Sequence, residues 1–106
     1  MVTLRIKKAE FDAIKNGTKK SDWRKPSLFN KRILLDKNQD GLFCENKKIK
    51  EIKFVNGYLP TDPFIICKII LIRPVKFTRN IEIKDDNFIA IEGECSIEIQ
   101  LGKIIQ

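Results

Sequence analysis

The chain has 106 residues, of which 42% are hydrophobic, and this length and composition indicate one globular domain over residues 1–106 with a single apolar core. Its formal net charge is +7, and it contains no histidine. Because no imidazole is present, Cys–His catalysis, Ser–His catalysis and histidine-ligated zinc are excluded.

The positive charge is concentrated in the first half of the chain. Residues 1–53 carry 15 lysines and arginines against 7 acidic residues, whereas residues 54–106 carry 6 against 7. A one-sided positive field attracts polyanions and speeds encounter with them. The asymmetry favours an anionic partner such as nucleic acid, and a well-solvated surface is the alternative interpretation.

The three cysteines, Cys44, Cys67 and Cys95, match no zinc signature, and their number is odd. We therefore expect free thiols, no metal and no cofactor. The first eight residues include three basic ones and lack the apolar core of a signal peptide, and the longest apolar run is too short to cross a bilayer. These features predict a cytoplasmic protein without membrane contact.

The chain begins with a predicted strand and a short helix. Apolar and polar residues alternate over residues 2–7, which is the period of a half-buried strand. Phe11 and Ile14 then form one apolar stripe on a helix over residues 9–16. Gly17 can adopt the left-handed conformation that ends a helix, so the chain is expected to turn back there towards the sheet.

A second strand is predicted over residues 19–24, which carry the most informative side chains of the chain. Alternation divides them between two faces, with Lys19, Ser21 and Trp23 on one and Lys20, Asp22 and Arg24 on the other. Positive charge, a carboxylate and an aromatic ring in one place suit an anionic ligand that carries a ring. Nucleic acid is the obvious candidate.

The remaining pattern is that of short strands separated by turns. We predict a turn over residues 25–27, a hairpin turn at Asp40-Gly41, and strands over residues 33–36, 42–44, 49–55, 64–73, 81–84, 88–91 and 95–101. The nearly continuous apolar run 64–73 predicts a central strand that is buried on both faces and ends at Pro74. Alternation over residues 97–101 predicts a strand with one buried face.

Six to eight short strands with one or two short helices predict a mainly β (α+β) fold. Turn signals recur about every ten residues, which is typical of a small closed or nearly closed barrel. Closure would also shield the apolar edges of these strands.

The motif Gly-x-Lys-Lys-x-Asp-Trp-Arg over residues 17–24, placed after a strand and a short helix, resembles the ASCH domain family of the PUA-like superfamily. The segments Phe-Val-Asn-Gly-Tyr at 54–58 and Leu-Gly-Lys-Ile-Ile at 101–105 are similar to small ASCH-like proteins of phages and prophages. The resemblance implies a PUA-like β-barrel with a cleft beside the first helix and an RNA-related role.

We expect the predicted cleft to bind RNA, more readily than DNA, or a nucleotide. Its expected binding residues are Lys19, Lys20, Asp22, Trp23, Arg24, Asn56, Gly57 and Tyr58. The lysines and Arg24 would contact phosphate, and Trp23 or Tyr58 would stack on a base. The competing interpretations are an internal Asp22–Arg24 ion pair, and ring positions that pack the core or a loop.

An enzyme is the second hypothesis. One ASCH branch hydrolyses the amide of acetylated cytidine with the lysine of the Gly-x-Lys motif, a threonine three positions later and a glutamate further on. By this resemblance Lys19 matches the lysine, Asp22 occupies the threonine position, and Glu92 and Glu94 are candidates for the glutamate. Lys20 would activate Lys19 as a cationic neighbour. A nuclease, or a phage protein that binds a host protein through its basic face, are further alternatives.

Overall fold

The computed structural model describes residues 1–106, with every side chain except that of Asp85. A single 3-10 turn, Lys84–Asp86, separates two of the strands. The strands and helices in chain order are β1 (Val2–Arg5), α1 (Lys8–Lys15), β2 (Ser21–Arg24), α2 (Leu28–Leu34), β3 (Leu35–Lys37), β4 (Phe43–Asn46), β5 (Glu51–Val55), β6 (Phe64–Lys76), β7 (Ile81–Ile83), β8 (Phe88–Ala90) and β9 (Cys95–Ile104).

The main element is a five-stranded sheet in the order β1-β5-β6-β9-β2. β1 and β5 are parallel, the other neighbours are antiparallel, and β3–β4 and β7–β8 form two separate hairpins. The sheet curls into a half-barrel, so the predicted mainly β fold with short helices is confirmed. No helix among the described residues combines the length and the apolar character of a membrane span.

The apolar core lies between one face of this sheet, α1 and the junction of α2 and β3, where Leu34 and Leu35 are buried. Phe11 and Ile14, the predicted stripe of α1, are buried against the sheet. The fully buried sheet residues include Ile52, Phe54 and Ile97. Burial of each such side chain contributes about 1.5–3 kcal/mol, so these contacts hold α1, which has only about two turns and would be marginal alone.

The prediction for β6 is right about its central position and wrong about its burial and its end. Ile65 and Cys67 are buried, but Ile70 is 69% exposed, so the two faces differ. The strand also continues through Pro74 to Lys76. β5 pairs with β6 only as far as Lys68, so Pro74 lies in a stretch whose described ladder is with β9 alone. Proline has no backbone N–H. This is tolerated at Pro74 because the side of β6 opposite β9 forms no described ladder with another strand there.

The sequence-based prediction missed α2. Its N-cap is Ser27, whose side-chain oxygen accepts a hydrogen bond from the backbone N–H of Asn30 at 3.1 Å. Leu28 and Phe29 are exposed and Leu34 is the one buried residue of this helix, so the helix shows no apolar stripe. The capping serine was therefore the available signal, because serine is among the preferred N-cap residues.

The prediction of one buried face on β9 is also wrong, because Ser96 and Glu98 on its second face are buried as well. The carboxylate of Glu98 accepts hydrogen bonds from Arg73 Nε at 2.8 Å, Ser21 Oγ at 3.0 Å and Gln100 Nε2 at 3.1 Å. Burial opposes ionisation of this carboxyl, but the hydrogen bonds and the charge of Arg73 outweigh it and hold the pKa of Glu98 below its ordinary value.

We expect Glu98→Gln to lower the free energy of unfolding near pH 7 by about 1–2 kcal/mol, a range discounted because Arg73 is half exposed. Since the folded-state pKa of Glu98 is lowered, its contribution is present above the unfolded-state pKa and is lost as the pH falls through the folded-state value. The free energy of unfolding, measured with urea, should therefore fall more between about pH 6 and about pH 3 for the wild type than for Glu98→Gln.

The matched control is Glu94→Gln, which removes an exposed carboxylate and should leave the wild-type pH dependence in place. If the difference between wild type and Glu98→Gln were the same at both pH values, the hydrogen bonds to Glu98 would not be the source of the acid sensitivity.

Candidate functional site

The end of α1 determines where Lys19 lies. Gly17 has φ +77°, so the predicted left-handed turn after the helix is confirmed. The backbone N–H groups of Thr18 and Lys19 both donate to Ala13 O, at 3.0 and 3.1 Å. This turn folds the chain back against the helix end, so Lys19 enters the interior before β2 begins at Ser21.

Four charged side chains form a continuous chain of contacts, which we call the ion-pair chain: Asp86, Lys19, Asp22 and Arg24. Lys19 Nζ lies 2.5 Å from Asp86 Oδ1 and 3.8 Å from Asp22 Oδ1, and the lysine side chain is only 2% exposed. Asp22 Oδ2 accepts a hydrogen bond from Arg24 Nε at 2.6 Å. The two terminal nitrogens of Arg24 lie 3.4 and 3.3 Å from Arg5 O, so the chain ends at strand β1.

These contacts correct part of the predicted face assignment. Within β2, Ser21 bonds to Glu98 on one face while Asp22 and Arg24 share the other, as predicted. Lys19 was expected on the face of Ser21 but contacts Asp22, because it lies in the turn and not in the strand. Lys20 is exposed and lies beside Gly102 and Lys103, outside this cluster.

The ion-pair chain forms one wall of an open cavity, the Lys19 hollow, with a volume of about 230 Å³. The end of β1, the first turn of α1, strand β2 and the 3-10 turn with the residues after it surround this hollow. Its basic residues are Arg5, Lys7, Lys19 and Arg24. Lys19 and Arg24 are ion-paired, whereas Arg5 and Lys7 make no ion pair with any described side chain.

An acidic residue that the sequence did not indicate, Glu10, also lines the Lys19 hollow. It lies in the first turn of α1, where a carboxylate interacts favourably with the helix dipole. Its Oε2 atom is buried and has no hydrogen-bond partner among the described residues. The hollow is therefore lined by neutralised charges and by one acidic residue whose buried carboxylate oxygen has no hydrogen-bond partner among the described residues.

The aromatic wall of the Lys19 hollow consists of Trp23 and Phe88. Their ring centroids are 6.1 Å apart with an interplanar angle of 26°, and Trp23 also contacts Phe77 at 5.6 Å. Trp23 is half-buried, so it is neither a core residue nor a free platform. These contacts hold the indole in a fixed position at the edge of the cavity.

Tyr58 lies in a neighbouring cavity of about 210 Å³, the Tyr58 hollow, together with Lys53 and Gly57. Arg5 lines both hollows, and its guanidinium carbon lies 4.7 Å from the centre of the Tyr58 ring. The tyrosine is 82% exposed. Asn56 lines neither hollow but donates from Nδ2 to Ile6 O at 3.1 Å, which ties this loop to the chain after β1.

Of the predicted site residues, four share the Lys19 hollow: Lys19, Asp22, Trp23 and Arg24. Gly57 and Tyr58 line the adjacent hollow, and Lys20 lines neither. The sequence analysis missed Arg5, Lys7, Glu10, Asp86 and Phe88. Arg5 and Lys7 were within reach of sequence reasoning, because both flank the junction of the predicted strand and helix.

The neighbours of Lys19 also bear on the enzyme hypothesis. Asp22, in the threonine position of the resemblance, is ion-paired with it, and Lys20 does not line the hollow. Glu92 and Glu94 do not line it either, whereas Glu10 does. Among the described residues, no group of three or more cysteines and acids could hold a metal ion.

No family model matches the chain, and no match was found among curated proteins or solved structures. The resemblance to the ASCH domain therefore stays a prediction from the motif at residues 17–24. Any functional proposal therefore rests on the side chains that line the Lys19 hollow.

We expect Lys19→Met to lower the free energy of unfolding by about 3–5 kcal/mol, because it leaves Asp86 buried without its cation. Lys20→Met removes the same charge from the adjacent, exposed position and should change stability by less than about 0.5 kcal/mol. Urea unfolding of both variants measures the difference. Equal stability of the two lysine variants would contradict the ion-pair chain. Asp86→Asn tests the same contact from its other side and should lower the free energy of unfolding by less than Lys19→Met does.

Proposed function

We propose that the Lys19 hollow binds one nucleotide of a single-stranded nucleic acid, and that RNA is the natural ligand. The observation that carries this proposal is the convergence of Arg5, Lys7 and Arg24 around a cavity walled by Trp23. Basic groups beside an aromatic ring are the pair of features that single-strand binding uses, for phosphate and for base. The choice of RNA over DNA comes from the ASCH resemblance.

The size of the hollow favours a single nucleotide. Its volume of about 230 Å³ is below the roughly 300–1,000 Å³ of cavities that enclose a drug-sized ligand. One base with its sugar is therefore the largest nucleic-acid unit that it would enclose. A duplex presents no single base at such a cavity, because its bases are stacked and paired, so a single strand or a nucleotide is the expected ligand.

The charges at the hollow divide into two sets. Lys19 is neutralised by Asp22 and Asp86 and serves the fold, whereas Arg5 and Lys7 form no ion pair among the described residues. Arg24 donates Nε to Asp22, and its terminal nitrogens make only long contacts to a backbone carbonyl. Those nitrogens are available for a charge-assisted hydrogen bond to phosphate.

Stacking supplies the second part of the interaction. Trp23 is held by Phe77 and Phe88, so a base that stacks on it meets a ring that is already ordered. Base–aromatic stacking contributes about 1–3 kcal/mol per base and tolerates any sequence. A pre-ordered ring loses little entropy on binding, which favours affinity.

A longer nucleic-acid strand has a path out of the Lys19 hollow. Arg5 lines both cavities, so a strand with one base in the Lys19 hollow passes towards Lys53 and the exposed ring of Tyr58. Oligonucleotides should therefore bind more tightly than a mononucleotide, because they gain a second stacking contact.

The test is a titration of a short single-stranded RNA with the fluorescence of Trp23, the only tryptophan, as the signal. We expect affinity to fall steeply with salt, and the double variant Arg5→Gln/Lys7→Gln to bind roughly tenfold more weakly with a log–log salt slope reduced by about 1.4. Two phosphate contacts are lost in that variant, and single strands contribute about 0.7 per contact.

The control is Lys48→Gln/Lys50→Gln, which removes the same charge from exposed positions outside the Lys19 hollow. It should bind nearly as the wild type does. Equal losses in the two double variants would mean that the overall field, and not the hollow, attracts RNA. An affinity that hardly changes with salt would rule out phosphate contact altogether.

An amide hydrolase of the acetylated-cytidine type is the second candidate, favoured by the presence of Lys19 and the free carboxylate oxygen of Glu10 in one cavity. This candidate predicts release of acetate from acetylated cytidine by the wild type and by Lys20→Met, and at least about a hundredfold loss in Lys19→Arg, which retains a cation but not an amine nucleophile or base. No acetate release by the wild type removes this candidate.

A further inference from the structure

We propose that Glu10 makes the Lys19 hollow selective for guanine. The inference rests on the proposed function and specifies which nucleotide that site prefers. Glu10 lies in the first turn of α1 and lines the hollow, and its Oε2 atom is buried with no hydrogen-bond partner among the described residues. Every other acidic residue of the hollow accepts a hydrogen bond or an ion pair from a neighbour.

A buried carboxylate oxygen without a donor is unfavourable by about 1–3 kcal/mol or more. No cation of the hollow relieves it in this arrangement. Lys19 is paired with Asp86 and Asp22, Arg24 is paired with Asp22, and Arg5 and Lys7 form no ion pair with any described side chain. The helix dipole compensates only part of the charge. Glu10 is therefore the acidic residue of the hollow that gains most from a donor, and a ligand reaches its Oε2 atom when the side chain turns that atom out of its buried position.

The bases differ in the donors that their pairing edges present. Guanine carries N1–H and N2–H₂ side by side, which one carboxylate can accept with its two oxygens. Adenine and cytosine place one amino group beside a ring nitrogen that is itself an acceptor, and uracil places its single N–H between two carbonyls. Each of these three would set a lone pair against a carboxylate oxygen, which is repulsive.

The other groups of the hollow are compatible with a base in this orientation. Lys7 is the residue before α1 and Glu10 lies in the first turn of this helix, so the proposed phosphate-binding and base-reading groups are three residues apart at the helix start. Trp23 provides the stacking surface in the same cavity. All the side chains that this mode of guanine binding requires therefore line the hollow.

The test compares the 5′-monophosphates of guanosine, inosine and adenosine at one salt concentration, with Trp23 fluorescence as the signal. Inosine retains N1–H but lacks the amino group, so it isolates the second hydrogen bond. We expect the guanosine nucleotide to bind about tenfold more tightly than the inosine nucleotide and the adenosine nucleotide to bind more weakly still. Glu10→Gln should reduce the ratio between guanosine and adenosine nucleotides to about threefold or less.

The matched control is Asp12→Asn, which neutralises a carboxylate on the same helix that is paired with Lys8 and does not line the hollow. It should keep the wild-type ranking, and unfolding midpoints should show that both variants are folded. Equal binding of the three nucleotides, or an unchanged ranking in Glu10→Gln, would overturn the inference while the phosphate site stands. Absence of binding by every nucleotide and by RNA would overturn the proposed function as well.

Discussion

The ion-pair chain from Asp86 to Arg24 is the interaction on which the rest of this structure depends. β1 and β2 are the two outer strands of the sheet order, and the contact from the Arg24 guanidinium to Arg5 O reaches from one to the other. Asp22 holds that guanidinium in place through Nε, and Lys19 compensates the carboxylate. Because a buried charge is tolerated only when it is paired, removal of Lys19 would leave Asp86 without an ion-pair partner, and removal of Asp22 would leave Arg24 without one.

The same contacts explain why the cavity has two kinds of charge. The members of the ion-pair chain neutralise one another, and of their cationic groups only the terminal nitrogens of Arg24 lie free of carboxylate contact. Arg5 and Lys7 come from the junction of β1 and α1, where no described carboxylate pairs with them. Glu10 lies three residues after Lys7, in the first turn of α1, and also lines the cavity. The ion-pair chain thus forms the wall of the hollow, and the junction of β1 and α1 supplies the charged groups that have no ion-pair partner there.

Sequence reasoning predicted the features that depend on local periodicity. The alternation of β1, the stripe on α1 and the positions of β5 to β9 follow from patterns of two or 3.6 residues, and the hairpin turn follows from the residue types Asp40-Gly41. It missed α2, which has a cap but no apolar stripe, and it ended β6 at Pro74 because the open edge there depends on how far β5 extends. The contact of Lys19 with Asp86 joins residues 67 positions apart, and no local pattern indicates such a pair.

Lys19 and Lys20 are adjacent in the motif but differ in burial, and this difference shows which structural information the motif contains. The two side chains are chemically identical, yet one is buried in the ion-pair chain and the other is exposed. The backbone makes the difference: Lys19 N–H bonds to Ala13 O at the helix end, whereas Lys20 O accepts from Leu101 N–H on β9. The backbone thus passes from the turn at the helix end to the sheet between Lys19 and Lys20. The number of residues from Gly17 to the first sheet contact therefore decides which lysine is buried, so a shift of one residue would exchange the two lysines and break the pairing with Asp22.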